Sequence, residues 1–454
     1  MAPPKSGSSR KQSRDTSIRE GKTKDKNKSS PAPRRNTQNQ NQQKRQNVPT
    51  TKSKTPNEND NQIEVSATIA ITLQQLLLNV FKTALLLPSG PWGQDQIPNS
   101  EEGEEESLDT KSLIQTIKSH LYNRDFDSAF ADADEKLLRA YALRWSAARA
   151  LGYAGLFKSI LKVLAEDAGS SESGPEGSPS SFSSAHVICI GGGAGAEIVA
   201  LAAAWRDLLD EGILGIPELS AAVEAMSLHE EDAEDGTTRD TKPQAEDPQR
   251  LSITAVDIAD WSSVMKRLSS TIPSSSVPSS KSHPAPLLPS NPPNIPSQTQ
   301  NQLTVDFKRL DVLSLSDQDL SSLFNNTTST PKPNLVTLMF TLNELFSTSM
   351  PKATAFLLRT TDLLQKGTIL LVVDSPGSYS TLKLGKGGAQ QERQYPMKFL
   401  LDHTLLSVAE GRWERLYSQD SRWWRRDAAR LWYDVGEGAG LEDMRFQIHV
   451  YRRV

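Results

Sequence analysis

The chain has 454 residues, of which 36% are hydrophobic, and its mean hydropathy is −0.50. No apolar run approaches the ~20 residues of a membrane-spanning helix, and the N-terminus is polar and basic, so neither a membrane span nor a signal peptide is predicted. The single cysteine, Cys189, excludes an internal disulfide and a cysteine-cluster metal site, and favours a reducing intracellular compartment. The six histidines show no metal-ligand spacing, so no metal site is predicted.

Charge is distributed unevenly along the chain, whose net charge is −4. Residues 1–60 hold 15 Lys/Arg against 5 Asp/Glu, so they carry +10 and the other 394 residues carry about −14. Residues 1–61 are also rich in Ser, Gln and Asn, and we predict a disordered tail because they lack the apolar residues of a core. A basic tail indicates a nucleic-acid tether or targeting to the nucleus or nucleolus, with the cytoplasm as a second location. A tail that only confers solubility is the other interpretation.

A helical region is predicted over residues 62–165. Apolar residues recur at helical spacing from Ile63 to about Leu87, and the proline and glycine that follow end this helix. Further helical patterns cover residues 112–123, 126–133 and 139–164. We expect this region to pack on the α/β body that follows it, because it is short and interrupted.

A glycine-rich loop opens the α/β body, which is predicted over residues 185–454. The apolar run Val187–Ile190 predicts a buried parallel strand, and Gly191, Gly193 and Gly195 follow it before a helical pattern begins. Glycine lets a ligand lie against bare main chain, and the start of a helix presents unpaired N–H groups. Dinucleotide loops have the spacing G-x-G-x-x-G, whereas these glycines are spaced G-x-G-x-G. This spacing favours a ligand without pyrophosphate, such as S-adenosylmethionine; a tight turn that only packs helix on strand is the alternative.

Four more strands, separated by helical patterns, are predicted in the body, and this alternation implies a parallel sheet. A sixth strand at the C-terminal end is expected to add antiparallel at the edge of the sheet. Two polar insertions are predicted to be disordered. The strands are predicted at 251–256, 303–310, 334–340, 368–373 and 444–451, and the insertions at 229–250 and 269–300.

Polar side chains follow successive strands, at the edge where ligands bind in open α/β sheets. Asp257, after the second strand, suits the two hydroxyls of a ribose, and Asp311, after the third, suits an adenine amino group. Either carboxylate would also serve as a helix cap. Asn343 and Glu344 follow the fourth strand, facing the expected methyl acceptor, and are candidate catalytic residues, with helix capping as the alternative. Cys189 occupies a position where such loops often have an acidic residue; its apolar neighbours predict a buried, inert thiol.

Two groups of cationic residues are candidates for RNA binding. Arg422, Trp423 and Arg425 combine an aromatic ring with cations, which suits an unpaired base and its phosphates. A core tryptophan flanked by solvated arginines would give the same pattern. Lys386 and Arg393 lie in a polar loop after the fifth strand, and they predict either an RNA-facing edge or solvated loop charge.

Several stretches together resemble the fungal large-subunit (25S) ribosomal RNA uridine-N(3) methyltransferases. They are LYNRDF at 121–126, RWS and RALGY within 144–153, CIGGGAGAE at 189–197, YPM and LLDHTLL within 395–406, and DSRW at 420–423. The resemblance covers about residues 65–454. It implies a Rossmann-like, seven-stranded class I methyltransferase sheet, S-adenosylmethionine as methyl donor, and a uridine of large-subunit rRNA or a pre-ribosomal particle as acceptor.

Carried onto this chain, the resemblance implies a cofactor site and a helical wall beside it. Arg144, Trp145 and Tyr153 would close the pocket from the helical region. Methyl transfer to a protein or a small molecule is an alternative function, which the basic tail disfavours. A non-catalytic ribosome-assembly factor is another, which the intact loop and carboxylates disfavour. The implied cofactor residues are Gly191, Gly193, Gly195, Glu197, Asp257 and Asp311.

Overall fold

Nine strands lie in the part of the chain that the computed structural model describes. Seven of them build one sheet and two form a separate hairpin. The structure describes residues 63–86, 108–123, 125–169, 182, 184–214, 249–289, 302–324, 332–377, 379–384 and 391–454. The sheet contains β1 Ser184–Ile190, β2 Arg250–Asp257, β3 Gln302–Arg309, β4 Leu335–Met339, β5 Ile369–Asp374, β8 Trp413–Trp424 and β9 Met444–Arg453, and the hairpin contains β6 Tyr379–Leu384 and β7 Gln391–Pro396.

The sheet has the strand order β3-β2-β1-β4-β5-β9-β8. Strands β1 to β5 pair in parallel, and β9 pairs antiparallel with both β5 and β8. The predicted seven-stranded class I methyltransferase sheet is therefore confirmed. The expectation that the last strand lies at the edge is wrong, because β8 takes that place. Strand β9 is buried along almost its whole length, as an interior strand must be, whereas β8 is partly exposed.

Helices cover both faces of the sheet, as connections between parallel strands require. The helical segment from α3 to α4 is continuous through a π-helical stretch, Ala142–Ser146. Further π-helical stretches are Asp127–Ala131 and His403–Val408. The helices are α1 Ile71–Leu86, α2 Thr110–Tyr122, α3 Glu135–Tyr141, α4 Ala147–Gly169, α5 Ala196–Asp210, α6 Ser262–Thr271, α7 Asp317–Phe324, α8 Leu342–Leu363 and α9 Met397–Asp402.

Two hydrophobic cores lie on opposite faces of the sheet. Alternate residues of β1 supply them: Val187 and Cys189 enter the core under α1, α4, α5 and α6, and Ile188 and Ile190 enter the core under α7, α8 and α9. The N-terminal helices α1 and α4 both pack on α5. They therefore share a core with the α/β body; the predicted domain boundaries themselves stay a prediction. No helix among the described residues is long and apolar enough to cross a membrane.

Helix α8 begins earlier than the sequence predicts. It starts at Leu342, directly behind β4, and is kinked at Ser349, which has φ −160° and ψ 101°. The kink lies two residues before Pro351, which lacks a backbone N–H and crowds the preceding turn. The proline led the sequence analysis to start the helix there. The earlier start places Asn343 and Glu344 in the first helical turn, behind β4.

Two predicted irregular segments also differ from expectation. The polar loop predicted over residues 385–395 contains most of β7, which pairs with β6 in a hairpin, and its residues 385–390 lie outside the described residues. Residues 272–289, which follow α6, form no helix or strand, as predicted. The prediction that they are disordered is wrong, because they are packed against the rest of the chain. Their few apolar residues anchor them, since Val277, Leu287 and Leu288 are each at most 2% exposed. The basic tail, residues 229–248 and residues 290–301 lie outside the described residues.

Candidate active site

The glycine-rich loop connects β1 to α5 with a backbone that needs glycine at two positions. Gly191 has φ +78°, and its N–H donates to the carbonyl of Val256 at 2.7 Å, which fixes the end of β1 against β2. Gly195 has φ +81° and is the N-cap of α5. Because φ values near +80° strain any other residue, both glycines are required by the turn itself. The N–H groups of the first turn of α5 face the loop.

Gly193 is required for a different reason, since its position is crowded. A Cβ atom there would lie 2.0 Å from Cδ1 of Trp261 and 2.8 Å from Cβ of Asp257. The Gly193 N–H donates to Oδ2 of Asp257 at 3.1 Å, so the loop and the end of β2 are in direct contact. Trp261 and Asp257 therefore fill the space on the Cβ side of Gly193. The loop forms the floor of the edge where the carboxyl ends of β1, β2 and β4 meet, which is where open α/β sheets bind ligands and which is called the cleft below.

Glu197 supplies a carboxyl group to the loop from the first turn of α5. Its side chain is 3% exposed, and its Oε1 atom has no hydrogen-bond partner. Burial raises the pKa of Glu197 to about 8. A Cβ on Gly192 would lie 2.6 Å from Cβ of Cys189 and 3.5 Å from Oε1 of Glu197, so this carboxyl lies near Cys189. Glu197 therefore supplies an acidic group beside Cys189, the strand position at which loops of this kind often have an acidic residue. Cys189 is buried, as predicted.

Asp257 ends β2 and accepts two backbone hydrogen bonds, from Gly193 and from Ala259 at 3.2 Å. Burial raises its pKa. The next residue, Ile258, is 56% exposed and offers an apolar surface beside the carboxylate, which suits the face of a base. Sequence reasoning missed Ile258, although an apolar residue directly after a strand-end carboxylate was a usable signal.

Asp311 makes local contacts within the turn behind β3 and does not cap the next helix, which begins at Asp317. Its Oδ1 accepts from the N–H of Leu313 at 3.0 Å, and its Oδ2 accepts from the hydroxyl of Ser314. The carboxylate therefore closes the turn behind β3. Its role in cofactor binding stays a prediction.

A second carboxyl pair lies behind β4 and β5. Asp374, the last residue of β5, is 3% exposed and accepts hydrogen bonds from the N–H groups of Asn343 at 2.9 Å and Ser375 at 2.7 Å. Burial raises the pKa of Asp374 to about 6. Burial and the neighbouring Asp374 raise the pKa of Glu344 to about 7. Glu344 is nevertheless accessible from solvent at the open side of the cleft. The buried Oδ1 of Asn343 has no hydrogen-bond partner.

Helix α4 forms the opposite wall through Tyr153 and Arg149. Tyr153 is 1% exposed, and its ring stacks on Phe340 with centroids 6.5 Å apart. Arg144, which the resemblance places at the pocket, donates to Glu442, and its guanidinium carbon lies 5.3 Å from the ring of Trp145. Its role in cofactor binding stays a prediction. The arginine whose charge acts on Glu197, Glu344 and Asp374 is Arg149, which the sequence analysis did not single out. Its helical position carried no signal that distinguished it from Arg144.

The two neighbouring tryptophans at the end of β8 have different environments. Trp423 is 51% exposed, with the guanidinium carbons of Arg425 and Arg445 at 4.9 and 5.9 Å from its ring centroid. Trp424 points to the other side, where a Cβ on Gly152 would lie 3.4 Å from its ring. Trp423 therefore fits the interpretation as an exposed stacking surface, and Trp424 fits the interpretation as a residue packed on the core. Arg422 is half-buried. Lys386 lies outside the described residues, and only the backbone of Arg393 is described, in β7.

The residues of the cleft fit S-adenosylmethionine. Glu197 and Asn343 each hold a buried oxygen without a partner, and an ammonium or hydroxyl group of a ligand would satisfy such an oxygen. Burial of several carboxyls costs free energy, which a cationic ligand would offset. The carboxylate of Asp257 at the loop and the apolar, exposed Ile258 suit an adenosine. Among the described residues, no group of three or more His, Cys, Asp or Glu is arranged to hold a metal ion.

Sequence comparisons find relatives over most of the chain. A family model described as "Putative SAM-dependent methyltransferase" matches residues 97–452. The chain is 28% identical over 385 residues to the 25S rRNA (uridine(2843)-N(3))-methyltransferase of Saccharomyces cerevisiae. That match covers 83% of this chain and 85% of the yeast protein.

Solved structures align with low similarity. A S-adenosylmethionine-dependent methyltransferase from Clostridium acetobutylicum aligns with 8% identity and a TM-score of 0.28, over 75% of this chain and 99% of that protein. Human N-acetylserotonin methyltransferase aligns with 12% identity and a TM-score of 0.24, over 84% of this chain and 94% of that protein.

Proposed function

Since this chain belongs to the SAM-dependent methyltransferase family, we propose that it methylates N(3) of a uridine in large-subunit ribosomal RNA. The observation that carries the choice of substrate is the similarity to the yeast 25S rRNA uridine-N(3) methyltransferase, which extends along 83% of this chain. Transfer of labelled methyl groups to large-subunit rRNA, with 3-methyluridine as the product, tests the proposal. Methylation of a protein is the alternative that the same assay detects.

The target uridine must leave its stack to reach the cleft, as bases do when their ring atoms react. S-adenosylmethionine, when bound, supplies a methyl group on a sulfonium. At the uridine, the N(3)–CH₃ bond forms while the N(3) proton leaves, and the electrons of the broken S–CH₃ bond stay on sulfur. Glu344 is the candidate acceptor for that proton, because it stands at the carboxyl end of β4 on the open wall of the cleft.

Replacing Glu344 with glutamine is expected to lower kcat by about 100-fold, since proton acceptors of this kind contribute ~10²–10⁴. A carboxyl with a pKa of about 7 accepts a proton only when ionised, so the kcat of the unchanged enzyme should rise with pH through about 7. The glutamine variant should lose this rise. The measurement is single-turnover methylation between pH 5.5 and 9.

Glu410→Gln is the matched control and should leave the pH profile unchanged. Glu410 is exposed and follows the π-helical stretch His403–Val408. A Glu344→Gln variant that keeps near-normal turnover and the same pH profile would remove Glu344 as the proton acceptor. Positioning of the reactants alone would then account for the rate.

The exposed Trp423, with Arg425 and Arg445 at its ring, supports a contact with an unpaired base. We expect Trp423→Ala to weaken RNA binding by about 10-fold, because stacking of one base on an aromatic ring contributes ~1–3 kcal/mol. Affinity for S-adenosylmethionine should not change. Filter binding of a single-stranded rRNA fragment measures the effect.

Trp432→Ala provides the matched control, since Trp432 is 78% exposed and carries no cation over its ring in the described structure. Equal RNA affinity of the two variants would show that the face around Trp423 does not bind RNA.

We also propose a nuclear or nucleolar location for the chain, supported by the basic composition of residues 1–60. Loss of nuclear fluorescence from a tagged chain without those residues tests it.

A further inference from the structure

Arg149 is a cation at the wall of the cleft that has no carboxylate partner among the described residues. Its Nη1 donates to the hydroxyl of Tyr141 at 2.9 Å, and its guanidinium carbon lies 4.9 Å from the ring centroid of Phe340 and 5.9 Å from that of Tyr141. Across the described residues, no carboxylate oxygen lies within 4.0 Å of its nitrogens. The side chain is only partly exposed. Most of its five N–H donors therefore remain available to a ligand.

The charge of Arg149 nevertheless acts on the cleft. It lowers the pKa of Glu197, Glu344 and Asp374, against the larger opposing effect of burial on each of them. These three carboxyls come from the start of α5, the start of α8 and the end of β5. The guanidinium thus lies close enough to all three elements to interact, and in ion-pair contact with none.

The backbone below the guanidinium is strained. Phe340 has φ +60°, a value that non-glycine residues with bulky side chains rarely adopt because it is sterically unfavourable. Its N–H donates to the carbonyl of Val373 at 2.6 Å, and its ring lies between Tyr153 and Arg149. The strained turn at the end of β4 therefore places an aromatic face under the guanidinium and fixes its position.

We propose that Arg149 is the anion-binding group of the cleft and receives the carboxylate of the methionine part of S-adenosylmethionine. This proposal rests on the proposed function only in its choice of cofactor. Arginine matches a carboxylate with two parallel N–H donors, and such bonds are among the strongest hydrogen bonds in proteins.

The charges around Arg149 favour this ligand over an RNA phosphate. The cleft holds the carboxyls of Glu197, Asp257, Glu344 and Asp374 near a single described guanidinium. A phosphodiester would bring further negative charge to these four groups. The methionine part of the cofactor is different, because its carboxylate arrives together with an ammonium and a sulfonium, which interact favourably with the carboxyls.

The test compares ligands that differ in one group, measured by isothermal titration calorimetry on the full chain. S-adenosylmethionine has the carboxylate, decarboxylated S-adenosylmethionine lacks only that group, and 5′-methylthioadenosine lacks the whole amino-acid end. We expect the unchanged protein to bind S-adenosylmethionine about 30- to 100-fold more tightly than its decarboxylated form, as a charge-assisted pair of hydrogen bonds implies.

Arg149→Met, which keeps an apolar side chain on Phe340, should abolish that preference. Affinity for S-adenosylmethionine should fall about 30- to 100-fold, while that for decarboxylated S-adenosylmethionine stays equal or increases and that for methylthioadenosine stays equal. Arg149→Lys should retain part of the preference, since it keeps the charge without the planar fork. Arg206→Met, at an arginine paired with Asp210 on α5, is the control and should behave like the unchanged protein.

Two results would overturn the proposal. If Arg149→Met weakens all three ligands equally, the arginine only supports the fold of the cleft. If it leaves all three affinities unchanged but weakens RNA binding, the guanidinium serves RNA. Failure of the unchanged protein to bind S-adenosylmethionine at all would instead contradict the proposed function, and the subsite with it.

Discussion

Gly193→Ala is expected to abolish detectable binding of S-adenosylmethionine, with a loss of affinity of at least about 100-fold. The added methyl group would lie 2.0 Å from Cδ1 of Trp261 and 2.8 Å from Cβ of Asp257. Trp261 cannot move aside easily, because it is 2% exposed and packs against Tyr141 and Phe130 at 5.7 and 6.3 Å. A displacement of about 1 Å at a binding group costs on the order of 100-fold.

Gly440→Ala is the matched control, since no atom lies within 4 Å of a Cβ at that glycine and its φ is ordinary. It should bind the cofactor normally and unfold at the same temperature. Gly193→Ala should also unfold at a lower temperature, because overpacking typically costs ~1–3 kcal/mol. Normal cofactor affinity in Gly193→Ala would show that the floor of the cleft does not contact the ligand.

Glu197→Gln is expected to weaken binding of S-adenosylmethionine by about 100-fold and, at the same time, to stabilise the protein without ligand. The carboxyl has a pKa of about 8 in the folded chain, against 4.5 for an ordinary glutamate. The folded state therefore keeps a proton that the unfolded state releases as pH rises above about 4.5. The free energy of unfolding therefore falls as the pH rises from about 4.5 to about 8, and the full loss of stability is present above about pH 8.

Glutamine cannot ionise, so the variant avoids this cost, which is on the order of a few kcal/mol at 1.36 kcal/mol per pKa unit. Thermal unfolding of the two proteins should coincide near pH 4.5 and diverge up to about pH 8, with the variant more stable. Glu410→Gln should show no such divergence. A Glu197→Gln variant that is less stable at pH 8, or that binds the cofactor normally, would contradict a ligand-binding role for the buried carboxyl.

The same pKa values predict how cofactor binding depends on pH. Glu197, Glu344 and Asp374 have pKa values of about 8, 7 and 6, so at neutral pH part of the cleft is protonated. A cationic ligand favours the ionised forms, and its binding should release protons. Because burial raises the pKa values of these carboxyls, their protonation affects both the stability of the folded chain and its affinity for the cofactor.

Sequence reasoning located the parts of this site that depend on strand ends. The apolar run before Gly191 fixed β1, and because parallel strands end at one edge, Asp257 and Glu344 were expected close to the loop. The structure places both at the cleft. The start of α8 was missed because Pro351 reads as a helix start, whereas the helix continues across a kink.

The helical wall of the cleft was beyond sequence reasoning. Arg144 and Arg149 lie on one helical segment, and only the way in which α4 packs decides which of them reaches the carboxyls. The strain at Phe340 was equally hidden, since nothing in the residue type indicates φ +60°. The hairpin β6–β7 was missed because its residues are mostly polar and lack the alternating apolar pattern by which a strand is recognised in a sequence.

The most direct test of the central claim is a transfer assay with tritiated S-adenosylmethionine on large-subunit rRNA from cells that lack this protein. We expect label in RNA, recovered as 3-methyluridine, with the unchanged chain and no label with Gly193→Ala. Label in protein, or in RNA at another base, would contradict the proposed substrate. Absence of label on both free rRNA and pre-ribosomal particles, together with absence of cofactor binding, would contradict the assignment of the cleft as a methyltransferase site.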